Sequence, residues 1–167
     1  HRKYNLQQKK SISQQFFCFL TFAADIIIEA VKYKDVMSME KRNVIFAICD
    51  DEREIRSSIE RNIRLLCEDS DIIKFADGKA LVEYEGGFDI LFLDIQMEGM
   101  SGMEAARVLR GRGCKAVIIF VTAIEEYVFD AFDVGAFHYI VKPFDKAKFF
   151  DVLRKAVAQC ESIKARE

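Results

Sequence analysis

The chain has 167 residues, 51% of them hydrophobic and 31% charged, which suits one globular domain with room for an accessory segment and a core that needs no staples. Its 25 Lys and Arg against 27 Asp and Glu leave a net charge of -2, so there is no chain-wide field for wrapping a polyphosphate, and nucleic-acid binding by this chain alone is disfavoured. Five cysteines (Cys18, Cys49, Cys67, Cys114 and Cys160) without a C-x-x-C spacing, and only two histidines (His1 and His138), exclude a zinc motif and fit a reduced, cytoplasmic protein. Any metal would sit among carboxylates, as a hard cation such as Mg2+ does.

Charge divides the chain near residue 38. Residues 1–38 hold six basic and three acidic side chains, whereas residues 39–167 hold nineteen basic and twenty-four acidic ones. The first part is read as an N-terminal extension and the second as the folded domain. Within the extension, residues 16–31 have a helical period, with Phe17, Leu20, Ala24, Ile27 and Val31 on an apolar face and Thr21, Asp25 and Glu29 on a narrow polar stripe. Three readings stay open for it: a packed or self-associating helix, a targeting or membrane segment, or a leader foreign to the native protein, with Met37 and Met39 as starts. The membrane reading is disfavoured, because Asp25 and Glu29 interrupt the run. A helix of that length would also reach only about 24 Å, short of the ~30 Å hydrocarbon core.

From Asn43 onward short apolar runs alternate with amphipathic stretches. The runs cover residues 44–48, 72–75, 90–93, 116–121 and 137–141, rich in Ile, Val and Phe as parallel strands covered on both faces require. Helices are predicted between and after them. Ile55, Ile59, Ile63 and Leu66 mark the first, Leu81 and Tyr84 a short second, Ala105, Val108 and Leu109 a third, and Val128, Ala131 and Phe132 a fourth. The fifth starts at Asp145 as N-cap and carries Phe149, Val152, Leu153, Ala156 and Val157 on one face. This alternation predicts an α/β fold with an open, doubly wound parallel sheet of five strands.

In such a sheet the binding crevice lies beyond the carboxyl ends of the strands. Asp50 and Asp51 follow the first run, Asp94 the third, Thr122 the fourth and Lys142 the fifth. Any one of these has a bland reading: an Asp after a strand is often only an N-cap, and a lone Lys is usually a solvated charge. Their coincidence at four strand ends points to chemistry. Crowded carboxylates need a cation, Mg2+ can exchange its waters for phosphoryl oxygens, and Thr122 and Lys142 suit the remaining oxygens of the same group. A carboxylate can itself be the nucleophile, and Asp94, alone at the end of the central strand, is the candidate. His138 is read as an ordinary strand residue, exposed or packed.

Four segments carry a resemblance: Ile48-Cys49-Asp50-Asp51-Glu52, Phe92-Leu93-Asp94-Ile95-Gln96-Met97, Phe120-Val121-Thr122-Ala123 and Tyr139-Ile140-Val141-Lys142-Pro143-Phe144. Over about residues 41 to 160 the chain resembles the CheY-like receiver domain of two-component response regulators. Residues 97–104 and 131–137 are most similar to receivers that precede LytTR-type DNA-binding domains. The resemblance implies strand order 2-1-3-4-5. It makes Asp94 the phosphoacceptor, Asp51, Asp94 and the Gln96 backbone carbonyl ligands of Mg2+, and Asp50 a helper through water. Thr122 and Tyr139 match the switch pair, and Lys142 the lysine that contacts a phosphoryl oxygen. The partner implied is a sensor histidine kinase, with a homodimer through the fourth helix, fifth strand and fifth helix. No enzymatic activity is implied beyond Mg2+-dependent self-phosphorylation and autodephosphorylation.

Pro143 is the only proline in the chain. A cis Lys142-Pro143 bond would turn Lys142 toward the crevice, and the resemblance implies one too. The sequence departs from the common pattern at Glu98, where many receivers have proline. A DNA-binding output domain controlling transcription would lie beyond Glu167, so the chain reads either as a fragment of a transcription regulator or as a free-standing receiver. Two rivals fail on residues. A flavodoxin-like cofactor binder needs a Ser/Thr/Gly-rich phosphate loop where this chain has Asp50-Asp51-Glu52. A haloacid-dehalogenase-like phosphatase would have a second Asp at Gln96. The alternative that survives is a receiver-like interaction module that signals without phosphorylation.

Overall fold

A computed structural model describes residues 44–124 and 126–166, so the helix expected over residues 16–31 lies outside the described residues. The chain runs β1 (Ile45–Cys49), α1 (Arg53–Leu66), β2 (Asp71–Phe75), α2 (Gly78–Glu83), β3 (Ile90–Leu93), α3 (Gly102–Gly111), β4 (Val117–Thr122), α4 (Val128–Asp133), β5 (His138–Val141) and α5 (Lys146–Lys164). The strands form one sheet in the order β2-β1-β3-β4-β5, and every neighbouring pair is parallel. This is the five-stranded, doubly wound arrangement with order 2-1-3-4-5. The order reverses between β1 and β3, which places a crevice at their carboxyl ends.

Burial follows from this order. Every residue of β3 and β4, two of the three strands with partners on both sides, is buried, as their unbroken apolar runs require. The edge strands β2 and β5 are only partly covered. On one face Leu91 and Leu93 of β3 and Ile118 and Phe120 of β4 form a cluster with Leu81 of α2, Ala105 and Leu109 of α3, and Ala131 of α4. On the other, the Phe149 ring of α5 stacks on Phe92 of β3 at 5.2 Å between centroids and on Phe144 at 5.5 Å. Each large side chain so buried contributes about 1.5–3 kcal/mol.

Helix ends are set by local chemistry. Asp77 caps α2 by accepting from the Ala80 amide at 2.7 Å, and Asp145 caps α5 through Lys148 in the same way, as expected. Ser101 and Glu104 close a reciprocal capping box that fixes the start of α3 next to the crevice. At the opposite edge of the sheet, Arg110 donates to the carbonyls of Val134, Cys114 and Ala116 at 2.7–2.9 Å, tying α3 to the starts of β4 and of the segment after α4. Asp89 accepts from the Ile45 amide at 2.8 Å and pairs with Lys164 at 2.7 Å, locking the end of α5 to the start of β1.

Two expectations are corrected. Phe132, placed by its spacing on the inner face of α4, is 73% exposed, and Ala131 and Val134 supply that face instead. Tyr84 does not belong to the body of α2 but ends it as C-cap, with its ring edge-on to Phe75 at 5.4 Å. All four cysteines among the described residues are free. No helix among the described residues is long and apolar enough to cross a membrane.

Candidate functional site at the carboxyl edge of the sheet

β1, β3, β4 and β5 end at one edge and carry the polar groups there. Asp50 and Asp94 follow buried strands and are themselves 1% and 4% exposed. Their backbones are interlocked: the Asp94 amide donates to the Cys49 carbonyl at 2.8 Å, and the Asp50 amide to the Phe75 carbonyl at 3.2 Å. Asp50 does not act as the N-cap of α1, a position held by Glu52 without a side-chain capping bond. Its Oδ1 instead accepts from the Glu52 amide at 2.9 Å, and its Oδ2 faces Lys142.

Lys142 is the hub. Its Nζ lies 2.7 Å from Asp50 Oδ2, 2.9 Å from Asp94 Oδ2 and 3.6 Å from Glu52 Oε1. Its own amide donates to the Thr122 carbonyl at 2.8 Å, continuing the sheet one residue past β5. The Lys142-Pro143 bond is cis. Gln96, two residues beyond Asp94, is exposed and donates its amide to Asp94 Oδ1 at 3.2 Å. Asp51 is exposed. One carboxylate oxygen from each of Asp50, Asp51, Glu52 and Asp94 lies within 4.8 Å of the others.

Thr122 and Tyr139 meet at Ile124. Thr122 Oγ1, fully buried, accepts from the Ile124 amide at 3.4 Å, and the Tyr139 hydroxyl donates to the Ile124 carbonyl. The strand end of β4 and the ring of β5 thus hold opposite sides of one residue ahead of α4. His138 is a half-buried strand residue whose Nδ1 accepts from the Tyr139 amide at 2.9 Å.

The electrostatics are those of crowded acids around one cation. Burial raises the Asp50 carboxyl above the usual range even though Lys142 and the Glu52 amide act against it. For Lys142 burial works to lower the pKa, but hydrogen bonds and charge from Asp50 and Asp94 outweigh it and leave the ammonium above its ordinary value. The Cys49 thiol is pushed up to about 12 by burial, reinforced by Asp77, Asp50 and Asp94. It remains a neutral thiol donating to the Asp77 carbonyl at 3.3 Å.

Four oxygen donors with no imidazole or thiolate among them, and one lysine to offset them, fit a small hard cation better than a transition metal. Two participants escaped the reading of the sequence. Glu52 joins the acidic cluster from a position that reads as a helix start. Arg56, on the first turns of α1, donates Nη1 to the carbonyls of both Asp50 and Asp51. A main-chain acceptor leaves no complementary residue type to reveal the pair. The available signal is an Arg one turn into the helix that follows an acidic pair.

The family model for the response regulator receiver domain matches residues 46–154. The sensory transduction protein LytT of Bacillus cereus is 40% identical over 74 residues, covering 44% of this chain and 30% of LytT. The transcriptional regulatory protein BtsR of Escherichia coli K12 is 36% identical over 126 residues, 72% of this chain and 49% of BtsR. The chain thus spans half or less of the length of these relatives. Among solved structures, the response regulator TrrA of Thermotoga maritima, in complex with Mg2+ and BeF, superimposes with a TM-score of 0.59 at 30% identity, covering 70% of this chain and 98% of TrrA.

Proposed function

The chain belongs to the response regulator receiver family, and from that premise we propose that it is a switch set by phosphorylation of Asp94. The observation that carries this is the placement of Asp94: a carboxylate 4% exposed at the end of the central strand, 2.9 Å from Lys142 and inside a ring of three further acids.

In the reaction, one Asp94 carboxylate oxygen attacks a phosphohistidine on a sensor kinase. A P–O bond to Asp94 forms as the P–N bond breaks, and the freed imidazole nitrogen takes a proton. Mg2+, held by Asp51, Asp94 and the Gln96 carbonyl with Asp50 assisting through water, would offset charge on the phosphoryl oxygens. Lys142 exchanges its bond to Asp94 for one to a phosphoryl oxygen, so its charge stays paired throughout. Hydrolysis of the acyl phosphate, in which water attacks phosphorus and Asp94 leaves as carboxylate, resets the switch.

In this switch the Thr122 hydroxyl turns toward the new group, which withdraws its acceptor from the Ile124 amide. Tyr139 holds the other side of Ile124, so the change passes to α4 as a shift between two arrangements. The exposed Phe132 ring on α4 supports an output surface, and a homodimer, built from α4, β5 and α5. A groove of about 760 Å³ between α1 and the start of α5, lined by Ile55, Asn62, Leu65 and Phe144 and reached by Lys142, suits the docking kinase. Control of transcription would run through an output domain, a reading supported by the similarity to the transcriptional regulatory protein BtsR.

Labelling tests the reading. With acetyl phosphate and Mg2+, the wild type takes up one acid-stable, base-labile phosphoryl group and Asp94→Asn takes up none. Equal labelling of both moves the acceptor elsewhere. No labelling of the wild type by acetyl phosphate or by a phosphorylated kinase supports the module that signals without phosphorylation.

A further inference from the structure

We propose that Arg56 is a positioning residue for the cation pocket: its guanidinium fixes the backbone of the β1–α1 loop so that the Asp50 and Asp51 carboxylates stand where the cation is held. The inference rests on the reading of the site given above and concerns a side chain that touches none of the reacting atoms.

The loop is short and restrained on three sides. The Asp50 amide is held by the Phe75 carbonyl at 3.2 Å, and the Glu52 amide by Asp50 Oδ1 at 2.9 Å. These bonds hold the amides of Asp50 and Glu52, while the carbonyls of the two peptide units that turn the chain between them are held from α1. Arg56 takes those units, with Nη1 donating to the Asp50 carbonyl and, at 3.0 Å, to the Asp51 carbonyl. Its own amide donates to the Glu52 carbonyl at 3.1 Å as the first helical bond of α1, so the side chain reaches back over the loop its backbone has just closed. Half-buried rather than solvated, it is held against the loop and not free to wander. Asp51 gains most, because its side chain is exposed and its placement depends on the backbone that carries it.

A positioning role and a purely electrostatic one predict opposite signs. Arg56 places a positive charge beside four clustered carboxylates, and like charge repels a cation. Were charge its only effect, removing it would tighten Mg2+ binding. Loss of a group that orients ligands loosens binding instead, characteristically by 10–100-fold in metal affinity. Arg56→Lys separates the two further, since an ammonium keeps the charge without the rigid fork of donors.

The test uses the full chain, with MgCl2 titrated into wild type, Arg56→Met and Arg56→Lys and followed by amide NMR shifts at constant ionic strength. Hydrogen exchange of the Asp51 and Glu52 amides is recorded without metal. The expected result is a loss of affinity of about tenfold in Arg56→Met, a smaller loss in Arg56→Lys, and faster exchange at both amides in the metal-free variants. Unchanged or tighter Mg2+ binding by Arg56→Met overturns the inference, as does weaker binding with exchange at the loop unaltered. If the wild type binds no Mg2+ while its loop amides are protected, the reading of the pocket as a cation site falls and this inference with it.

Discussion

Lys142 is the residue on which the resting site depends, because the two carboxylates it bonds are almost wholly withdrawn from water. Removing one partner of a buried ionic cluster costs about 3–5 kcal/mol, as the remaining charges lose their counterion. Lys142→Met should therefore lower stability by about 3 kcal/mol at pH 8. The sign with pH follows from the carboxyls. Asp50 already lies above its ordinary value, so its proton is held more tightly in the folded chain than in the unfolded one, and its charge weakens the fold as pH rises through that raised pKa. Without Lys142 the effect grows, and the deficit should be smaller at pH 5 than at pH 8 in urea unfolding. The wild type should behave differently at the alkaline end. The raised Lys142 contributes stability that is complete below its unfolded pKa of roughly 10.4 and is lost as pH rises through the folded value. A deficit in Lys142→Met that is the same at pH 5 and pH 8 would show that packing, not charge, is what Lys142 supplies.

Among the elements, the junction of β3 and α3 is the least forgiving. A Cβ built on Gly102 would sit 1.9 Å from the Asp94 carbonyl oxygen and 2.8 Å from its carbonyl carbon, both backbone atoms that no rotamer can move aside. Gly102 also donates its amide to the Ile95 carbonyl at 2.9 Å, so α3 enters in direct contact with the strand end that carries the acceptor. Gly102→Ala should cost about 1–3 kcal/mol by overpacking and, because the displaced backbone is that of Asp94, should slow labelling by acetyl phosphate more than stability alone explains. Labelling at the wild-type rate in the folded variant would show that the helix yields without moving Asp94. The elements differ in how far they could be read in advance. The strands were legible because a sheet covered on both faces demands unbroken Ile, Val and Phe runs, and 90–93 and 117–121 have them. α4 was not phased correctly: with six residues it makes less than two turns, so Phe132 and Val134 could exchange faces without breaking any visible period. Asp50, Asp94, Thr122 and Lys142 were legible because each stands at a strand end. Arg56 was not, since its partners are carbonyls that every residue possesses.

At the scale of the molecule, the five paired strands lie between Ile45 and Val141, and every group assigned to the chemistry lies between Asp50 and Lys142. The amino edge of the sheet is closed from within the described residues, by Asp89 holding Ile45 and Lys164 and by Arg110 holding the carbonyls of Cys114, Ala116, Val134 and Gly135. Since the hydrogen bonds that build the site and this closure join described residues from Val44 onward, deletion of residues 1–38 should leave Asp94 labelling by acetyl phosphate unchanged. The change is expected in association or melting temperature. A helical face of Phe17, Leu20, Ala24, Ile27 and Val31, as the sequence predicts, would cost about 1.5–3 kcal/mol for each large side chain left in water, so cover by the receiver, by a second copy or by lipid is expected. If that cover is the receiver itself, the truncated protein melts lower and exposes an apolar patch; if it is a second copy, the truncated protein melts at the same temperature and light scattering reports a monomer. Loss of labelling in a truncated protein that still melts cooperatively would place residues 1–38 inside the switch rather than beside it.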